Sequence, residues 1–393
     1  MPARQDCPSC GGRHLTPVYR ADGIPTHSTI VLRDAEEART FPRRDLELAV
    51  CHGCGLIFNR LFDPSVVAYS PQFEESQHFS GTFNAFAREL AADIAVRCGL
   101  SAESHVVEIG CGKGEFLAEL CRIAGCEGTG IDPAFRNDRF GENPPPGLTF
   151  IADWFGPQYY DLPCDVILSR HTLEHIGPMG EFLGAIRTMV GARPIQLVFE
   201  TPDVERILAE GAFWDVYYEH VSYFTPATHA GAFRRQGFAV TESKVDFGGQ
   251  YIVQFAVADS DDSEASDEPG RTETIAAALG FAARSATVRR HWQSVLADAR
   301  AAGRRVALWG GGSKAVAFIA ALAINADAVT VVDKNPFKQG GFLPGSGHQV
   351  LAPEALHAVK PDIVIAMNPI YREEIRADLE ALGLAPELMA VGA

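Results

Sequence analysis

The sequence predicts an α/β protein with two doubly wound units behind a small cysteine-rich module. Two glycine-rich stretches carry this prediction, at 110–114 and 310–312, because each lies between a short apolar run and a stretch with helical periodicity. Two Cys-x-x-Cys pairs near the N-terminus predict the module. We expect three parts: the module at 1–65, a helical connector with the first α/β unit at 66–260, and the second unit at 273–393.

Composition limits the classes of partner. The chain has 393 residues, of which 47% are hydrophobic, so two or three domains with sizeable cores are possible. A net charge of −16 argues against nucleic acid or an anionic membrane as the main partner. The longest apolar run, at 315–332, is broken by Asn325 and Asp327, and the N-terminus has no apolar signal region. We expect a cytoplasmic protein that acts on a small molecule.

The N-terminal cysteines have the spacing of two metal-binding knuckles, and a glycine follows each pair to allow the turn. Four thiolates match a closed tetrahedral zinc site, which leaves no open position for catalysis, so we expect a structural zinc. A redox pair or four free thiols are the alternatives. The redox alternative is disfavoured because no βαβ pattern surrounds either pair. The predicted ligands are Cys7, Cys10, Cys51 and Cys54.

The segments around the module are read from periodicity. Short strands are predicted at 29–32 and 46–50, and an amphipathic helix at 82–98. The aromatic stretch from Tyr69 to Phe79 precedes that helix. Its side chains are most simply core contacts, but they are also placed to line a cleft, and we include Tyr69 among the substrate-binding candidates.

The first glycine stretch follows a predicted buried strand at 106–109 and begins a helix. Its pattern is Gly-x-Gly-x-Gly, which differs from the dinucleotide fingerprint because Glu115 stands where that fingerprint needs a glycine or alanine. Asp132 ends the next apolar run, where a carboxylate can accept both hydroxyls of a ribose. With Glu108, this pattern resembles motif I of the class I methyltransferases that bind S-adenosylmethionine (SAM). A purely structural turn is the alternative. The candidate cofactor residues here are Glu108, Gly110, Gly112, Gly114 and Asp132.

Further strands are predicted at 128–131, 165–168 and 195–199, and ligands of such sheets lie beyond the carboxyl ends of the strands. This rule brings Asp153 and Trp154 towards the cofactor. Asp153 is placed to accept from the adenine amino group and Trp154 to stack on the ring, with an ordinary loop as the alternative. Two strands at 238–245 and 250–257 form the terminal antiparallel hairpin that the methyltransferase resemblance implies.

His171-Thr-Leu-Glu-His175 follows the strand that ends at Leu168. The spacing places both histidines on one helical face, as in a metal pair, although the motif fits an inverted zinc-protease site poorly. We expect His171 to border the cofactor and His175 to have a substrate or catalytic role. A hydrogen-bonded structural histidine is the alternative for His175.

The stretch 213–225 follows the strand that ends near Thr201. Tyr217, Glu219 and His220 supply a phenol, a partner carboxylate and a base within four residues. An imidazole suits proton removal near neutral pH, and a tyrosine can donate to a developing oxyanion. The alternative is a polar strand end with satisfied side chains.

These parts together resemble the SAM-dependent sugar C-methyltransferases of deoxysugar biosynthesis, over essentially the whole chain. The resemblance implies a class I SAM-methyltransferase domain, of Rossmann-like fold, between a four-cysteine zinc module and a second, C-terminal Rossmann-like domain. It implies nucleotide-linked keto-sugars as substrates. It also implies that the catalytic set consists of Tyr217, Glu219, His220 and His175.

The second glycine stretch satisfies Gly-x-Gly-x-x-Ala at 310–315, with Asp333 after the next strand. Read alone, this pattern predicts an NAD site. The resemblance instead implies that this domain holds the nucleotide-diphosphate part of the substrate. In both interpretations backbone N–H groups and Lys314 meet phosphate. The candidates are Gly310, Gly312, Ser313, Lys314, Asp333 and Asn335. A linker at 259–272, a helix at 273–302 and strands at 304–309, 329–333 and 362–366 complete the expected unit.

The predicted reaction is methylation of a carbon next to a carbonyl. His220, oriented by Glu219, removes the α-proton, and Tyr217 and His175 stabilise the enolate or relay protons. The methyl on the SAM sulfonium is already electrophilic, so no catalytic metal is expected. An O-methyltransferase, an NAD-dependent oxidoreductase and a zinc-containing binding protein are the alternatives.

Overall fold

A computed structural model of the chain describes residues 3–67, 73–141, 143–259 and 270–392. Tyr69, a predicted substrate contact, lies outside these residues, as does most of the predicted linker. Among the described residues no helix is both long enough and apolar enough to cross a membrane. The N-terminal module consists of β1 (Leu15–Pro25), α1 (Ala35–Arg39), β2 (Arg43–Cys51) and β3 (Ile57–Asn59), with the strands joined in an antiparallel sheet.

The prediction of a strand at 29–32 is wrong, and β1 was not predicted. Among the described residues, the segment 29–32 makes only isolated bridges, from Ile30 to Phe73 and from Leu32 to Phe342. Both residues are buried, but they pack with Ala38, Phe41 and Phe342 and not within a sheet. The apolar pattern at 29–32 therefore comes from an extended segment that crosses between the connector and the C-terminal unit.

The connector helix α2 (Gly81–Arg97) agrees with the prediction. Ser80 caps it by accepting from the Phe83 N–H, and Phe83, Phe86, Leu90 and Ile94 form its buried face. This face joins the hydrophobic cluster under the first large sheet.

The first α/β unit contains seven strands in one sheet, and its helices follow the expected alternation. The strands are β4 (His105–Ile109), β5 (Glu127–Ile131), β6 (Leu148–Ile151), β7 (Val166–Arg170), β8 (Gln196–Pro202), β10 (Phe238–Asp246) and β11 (Tyr251–Ala258). The helices are α3 (Glu115–Ala124), α4 (Met179–Val190), α5 (Val204–Glu210) and α6 (Pro226–Arg234). The order is β10-β11-β8-β7-β4-β5-β6, with β10 and β11 as an antiparallel hairpin beside five parallel strands. This is the predicted doubly wound sheet, with β6 as an unpredicted edge strand.

A two-residue strand, β9 (Ser222–Tyr223), leaves this unit and pairs with β3 of the module. It thereby attaches the stretch that carries Tyr217, Glu219 and His220 to the N-terminal module.

The C-terminal unit is a smaller, fully parallel sheet, as predicted. The long helix α7 (Arg271–Ala301) leads to β12 (Val306–Trp309), α8 (Ser313–Leu322), β13 (Thr330–Val332), β14 (Val350–Leu351), α9 (Leu356–Val359), β15 (Ile363–Ala366), α10 (Arg372–Ala381) and β16 (Glu387–Ala390). The order is β14-β13-β12-β15-β16.

The three parts share a hydrophobic cluster. Tyr19 of β1 contacts Phe281 of α7, with ring centroids 5.0 Å apart, and Phe213 stacks on Phe318 of α8 at 5.8 Å. Burial of such aromatic side chains is among the larger favourable terms in packing. The glycine turns of the two α/β units are consequently held facing one space.

Candidate functional site

A cavity of about 540 Å³ lies between the carboxyl ends of the parallel strands of the two α/β units. Both glycine turns line it, as do His175 and His220. A single cavity therefore connects the predicted cofactor residues, the predicted catalytic histidines and the predicted phosphate-binding turn.

The first glycine turn has the geometry of a ligand-binding backbone. Gly112 and Gly114 have φ of +55° and +77°, which disfavour any side chain, and a Cβ on Gly114 would lie 2.3 Å from the Phe150 ring. The Gly112 N–H donates to Asp132 Oδ2 at 2.9 Å, and the Ala134 N–H donates to Oδ1 at 2.7 Å. Asp132 thus holds the turn open at the cavity wall, and burial raises the pKa of its carboxyl. These residues suit SAM because its ribose and methionine parts need a bare backbone and an acceptor.

Glu108 lies at the end of β4 and lines the same wall. Burial raises the pKa of its carboxyl to about 8, and its Oε2 has no hydrogen-bond partner among the described residues. The side chain is therefore largely protonated at neutral pH.

Asp153 and Trp154 differ in position. Trp154 lines the cavity and is 58% exposed, so its ring can be covered by a ligand. Asp153 does not line the cavity, and its carboxylate accepts from the Trp154 N–H at 2.8 Å and the Tyr159 hydroxyl at 2.6 Å. The structure does not bring Asp153 to the predicted adenine contact, because local partners turn its side chain away.

The expectation that His171 and His175 share a helical face is wrong. His171 has φ of +48° and precedes a single 3-10 turn at 173–175, so the chain bends between the two rings. His171 Nε2 lies 2.7 Å from Glu200 Oε1, and Nδ1 lies 3.6 Å from Glu174 Oε1. Burial disfavours its charged form, but these carboxylates outweigh burial and raise the pKa of His171 to about 9. His171 is therefore a cation at the cavity wall.

His175 has a defined tautomer. Its Nδ1 lies 3.1 Å from the backbone carbonyl of Glu219, which can only accept, so Nδ1 carries the proton. In the neutral form of the ring, the lone pair is then on Nε2. The ring stands edge-on to His220, with centroids 4.7 Å apart.

His220 lies between His175 and Tyr217, whose ring centroid is 4.8 Å away. Burial and the nearby His175 lower the pKa of His220 to about 4, so it is neutral at pH 7. The Tyr217 hydroxyl donates to Asp215 Oδ1 at 2.9 Å, and burial raises the pKa of this phenol. In this state its proton is directed at Asp215 and not at the cavity.

The pairing of Glu219 with His220 is also not what the structure contains. The Glu219 carboxylate accepts from the Ser28 N–H at 2.8 Å and from the Ser28 hydroxyl, with His27 Nδ1 at 3.7 Å. Consecutive side chains leave the backbone in different directions, so the neighbour in sequence points into the module. Glu174 occupies the position beside His220 that was expected for Glu219. A carboxylate oxygen of Glu174 and ring nitrogens of His175 and His220 lie within 4.8 Å of one another. The motif at 171–175 contained this glutamate, but its role depends on the turn.

The second glycine turn repeats the aspartate arrangement. Asp333 Oδ2 accepts from the Gly311 N–H at 2.7 Å, and Oδ1 accepts from the Asn335 N–H at 2.8 Å. Lys338 Nζ lies 3.5 Å from Asp333. Of the predicted residues, Gly310, Gly312, Ser313, Lys314, Asp333 and Asn335 all line the cavity.

Lys314 is not directed at open space but is ion-paired with Asp215. Arg206 also reaches Asp215, at 2.6 Å. Burial alone would raise the Asp215 pKa, but these two cations lower it to about 2. Asp215 thus connects Tyr217 of the catalytic stretch to the second glycine turn, a link that no sequence pattern indicated.

The four N-terminal cysteines form one cluster. Cys7 and Cys54 have Sγ atoms 3.6 Å apart, Cys10 and Cys51 likewise, and all four sulfurs lie within 4.8 Å of one another. Four converging sulfurs fit a tetrahedral thiophilic metal such as zinc.

Comparisons with known proteins match two consecutive parts of the chain. A model described as a methyltransferase domain matches residues 83–243, and one described as a C-methyltransferase C-terminal domain matches residues 256–384. C-methyltransferase NovU from Streptomyces niveus is 27% identical over 389 residues, covering 94% of this chain and 91% of that protein.

Solved structures resemble only part of the chain. Burkholderia thailandensis 1,6-didemethyltoxoflavin-N1-methyltransferase is 19% identical, covers 44% of this chain and 79% of that one, and has a TM-score of 0.34. Magnesium protoporphyrin IX methyltransferase from Synechocystis PCC 6803 is 13% identical, with 45% and 84% covered and a TM-score of 0.34. No functional conclusion follows from similarities of this size. The chain thus carries a methyltransferase domain followed by a C-methyltransferase C-terminal domain, and it is similar to a C-methyltransferase over nearly its full length.

Proposed function

We propose that the protein methylates a carbon next to the carbonyl of a nucleotide-linked keto-sugar or a closely related small metabolite. One observation carries the proposal: a single cavity connects the first glycine turn, the histidine pair and the second glycine turn. In a nucleotide-linked sugar, the reactive sugar would lie at the histidine pair and the diphosphate at the second glycine turn.

The first glycine turn and Asp132 would hold SAM, which supplies an electrophilic methyl group on a sulfonium when bound. The protein must then supply proton removal. We assign this to His220, which is neutral at pH 7 and adjoins His175. The α-carbon proton passes to His220 and the C–H electron pair forms the enolate, whose carbon would bond the methyl carbon as the methyl–sulfur bond breaks and leaves S-adenosylhomocysteine.

The neighbours of His220 support this role. Glu174 is the carboxylate placed to stabilise the imidazolium, in place of Glu219. In its neutral form, His175 can accept the proton onward at Nε2. Glu219 acts indirectly, since its backbone carbonyl sets the tautomer of His175 and its side chain is held by Ser28.

The distal part of the substrate would lie on the second turn. Backbone N–H groups at the start of α8 suit phosphate oxygens, and Lys314 and Lys338 bring positive charge to the same wall. The match to a C-methyltransferase C-terminal domain supports substrate binding there over NAD binding.

The test uses SAM labelled with ¹³C at the methyl group and two substrates, a nucleoside-diphosphate keto-sugar and the same keto-sugar without the nucleotide. We expect a methyl group bonded to carbon by NMR, a much higher kcat/KM for the nucleotide-linked form, and exchange of the α-proton in D₂O without SAM. Methylation on oxygen, or equal kcat/KM for both substrates, would contradict the proposal.

We also propose that Cys7, Cys10, Cys51 and Cys54 bind one structural zinc per chain. The convergence of the four sulfurs supports this assignment. Metal analysis of freshly purified protein is expected to give one zinc, and Cys7→Ser is expected to lower the melting temperature. Protein without zinc that retains the wild-type melting temperature would refute it.

A further inference from the structure

The connector brings a carboxylate against the first glycine turn. Oε1 of Glu75 lies 2.8 Å from the position that a Cβ on Gly112 would occupy. Glu75 is accessible to solvent, and its side chain lines the cavity. Burial raises the pKa of this carboxyl, and the charge of nearby Lys113 opposes that rise.

Lys113 belongs to the turn itself and is only 3% exposed. Its Nζ is buried and has no hydrogen-bond partner among the described residues, although the side chain lines the cavity. A buried ammonium without a partner is costly, which indicates that it meets an anion in a complex.

Glu74 and Ser76, the residues on either side of Glu75, both form hydrogen bonds within the protein. Glu74 accepts from Arg139 at 2.7 Å and from Asn335 at 2.8 Å, and Ser76 donates to Glu115 at 2.6 Å. No other described residue hydrogen-bonds the Glu75 carboxylate. All three residues line the cavity, but only the Glu75 carboxylate lacks a hydrogen bond to another described residue, and it lies beside the first glycine turn.

We propose that Glu75 and Lys113 form the subsite for the amino-acid end of SAM, Glu75 receiving the α-ammonium and Lys113 the α-carboxylate. That end of SAM is a zwitterion, and an anion and a cation side by side at the glycine turn are complementary to it. The inference rests on SAM binding at the first turn and is independent of which substrate is methylated.

The test is direct binding measured by calorimetry, with no substrate present. S-adenosylhomocysteine (SAH) has the amino-acid end, 5′-methylthioadenosine lacks it, and decarboxylated SAM lacks only the carboxylate. We expect wild-type protein to bind SAH at least about tenfold more tightly than methylthioadenosine, the factor that one lost charged hydrogen bond produces.

Two variants separate the roles. Glu75→Gln is expected to weaken SAH binding about tenfold and to leave methylthioadenosine binding unchanged. Lys113→Met is expected to weaken SAH binding and to leave decarboxylated SAM unchanged. Glu119→Gln is the control, because this carboxylate lies on α3 and pairs with Arg122 and Arg88 at the surface.

Equal losses for SAH and methylthioadenosine, or no loss for either, would overturn the subsite. If a variant does not fold, the wild-type comparison decides, since equal affinity for SAH and methylthioadenosine also overturns it. Failure of the keto-sugar assay with these binding results intact would contradict only the substrate proposal.

Discussion

At both glycine turns, an aspartate at the end of the following strand accepts from the backbone of the turn. Asp132 bonds the Gly112 N–H at 2.9 Å, and Asp333 bonds the Gly311 N–H at 2.7 Å. Each aspartate also accepts from the backbone N–H two residues further on. The strand–turn–helix arrangement therefore produces the same feature twice, a glycine turn held by an aspartate, which we call a cradle.

The side chains that reach the two cradles differ. The first turn meets Glu75 from the connector and carries Lys113, whose Nζ has no hydrogen-bond partner within the described part of the chain. At the second, Lys314 is bound to Asp215 and Lys338 approaches Asp333. Opposite charges at the first turn suit a zwitterion, whereas the two lysines at the second turn bring positive charge that aspartates partly balance. Glu75 and Asp215, which come from elsewhere in the chain, contribute to this difference.

The largest expected effect is a loss of turnover on substitution of His220, which lines the cavity that both glycine turns share. His220→Ala is expected to lower turnover by roughly 10²- to 10⁴-fold, because general-base catalysis contributes about that much, while SAH binding at the first turn is retained. The measurement pairs kcat with calorimetry. An α-proton exchange rate equal to wild type would show that His220 is not the base.

The same step has a pH signature. The base must be neutral, so activity limited by His220 is expected to fall as pH drops through about 4, the pKa to which burial and His175 lower it. His175→Ala removes one lowering influence and should move this acid limb to higher pH. An unmoved limb would mean that the two rings do not interact electrostatically.

A matched pair of glycine variants tests the two cradles directly. Gly112→Val places a β-branched side chain at φ of +55° against Glu75, where SAH would approach the turn, and is expected to weaken SAH binding at least about tenfold. Gly312→Val meets only Lys338 Nζ, at 3.4 Å, and should leave SAH affinity unchanged while raising KM for the nucleotide-linked substrate. Equal loss of SAH binding in both variants would remove the functional distinction between the turns.

Lys314→Met tests the charge at the second turn. We expect KM for the nucleotide-linked substrate to rise about five- to tenfold, with no change for the sugar lacking the nucleotide, because the phosphate would take over from Asp215 as a partner of Lys314 in the complex. SAH affinity serves as the control. The same rise for both substrates would place Lys314 outside the nucleotide site.

The smallest expected effect is on kcat, from substitution of Ser28 in the N-terminal module. Ser28→Ala removes the hydroxyl that holds Glu219 but keeps the backbone donor, so kcat should fall about threefold to fivefold with SAH affinity unchanged. Ser28→Thr, which retains the hydroxyl, is the control. If both variants show wild-type kcat, the module does not support catalysis through Glu219.

The sequence by itself determined the two α/β units, the glycine turns with Asp132 and Asp333, and the cysteine cluster. These follow from local rules, since strand and helix periodicity and positive φ at glycine are properties of a few neighbouring residues. The apolar run at 29–32 was mispredicted as a strand, because buried apolar residues also occur in an extended segment that packs between two parts of the chain.

The tertiary structure alone decided the partners of the functional side chains. Glu219 and His220 are adjacent in the chain, yet Glu219 bonds Ser28 from the distant module while Glu174 faces His220. Glu75 at the first turn and Asp215 at the second are likewise placed by packing between parts. A side-chain contact depends on where separate elements meet in space, and no short-range periodicity contains that information.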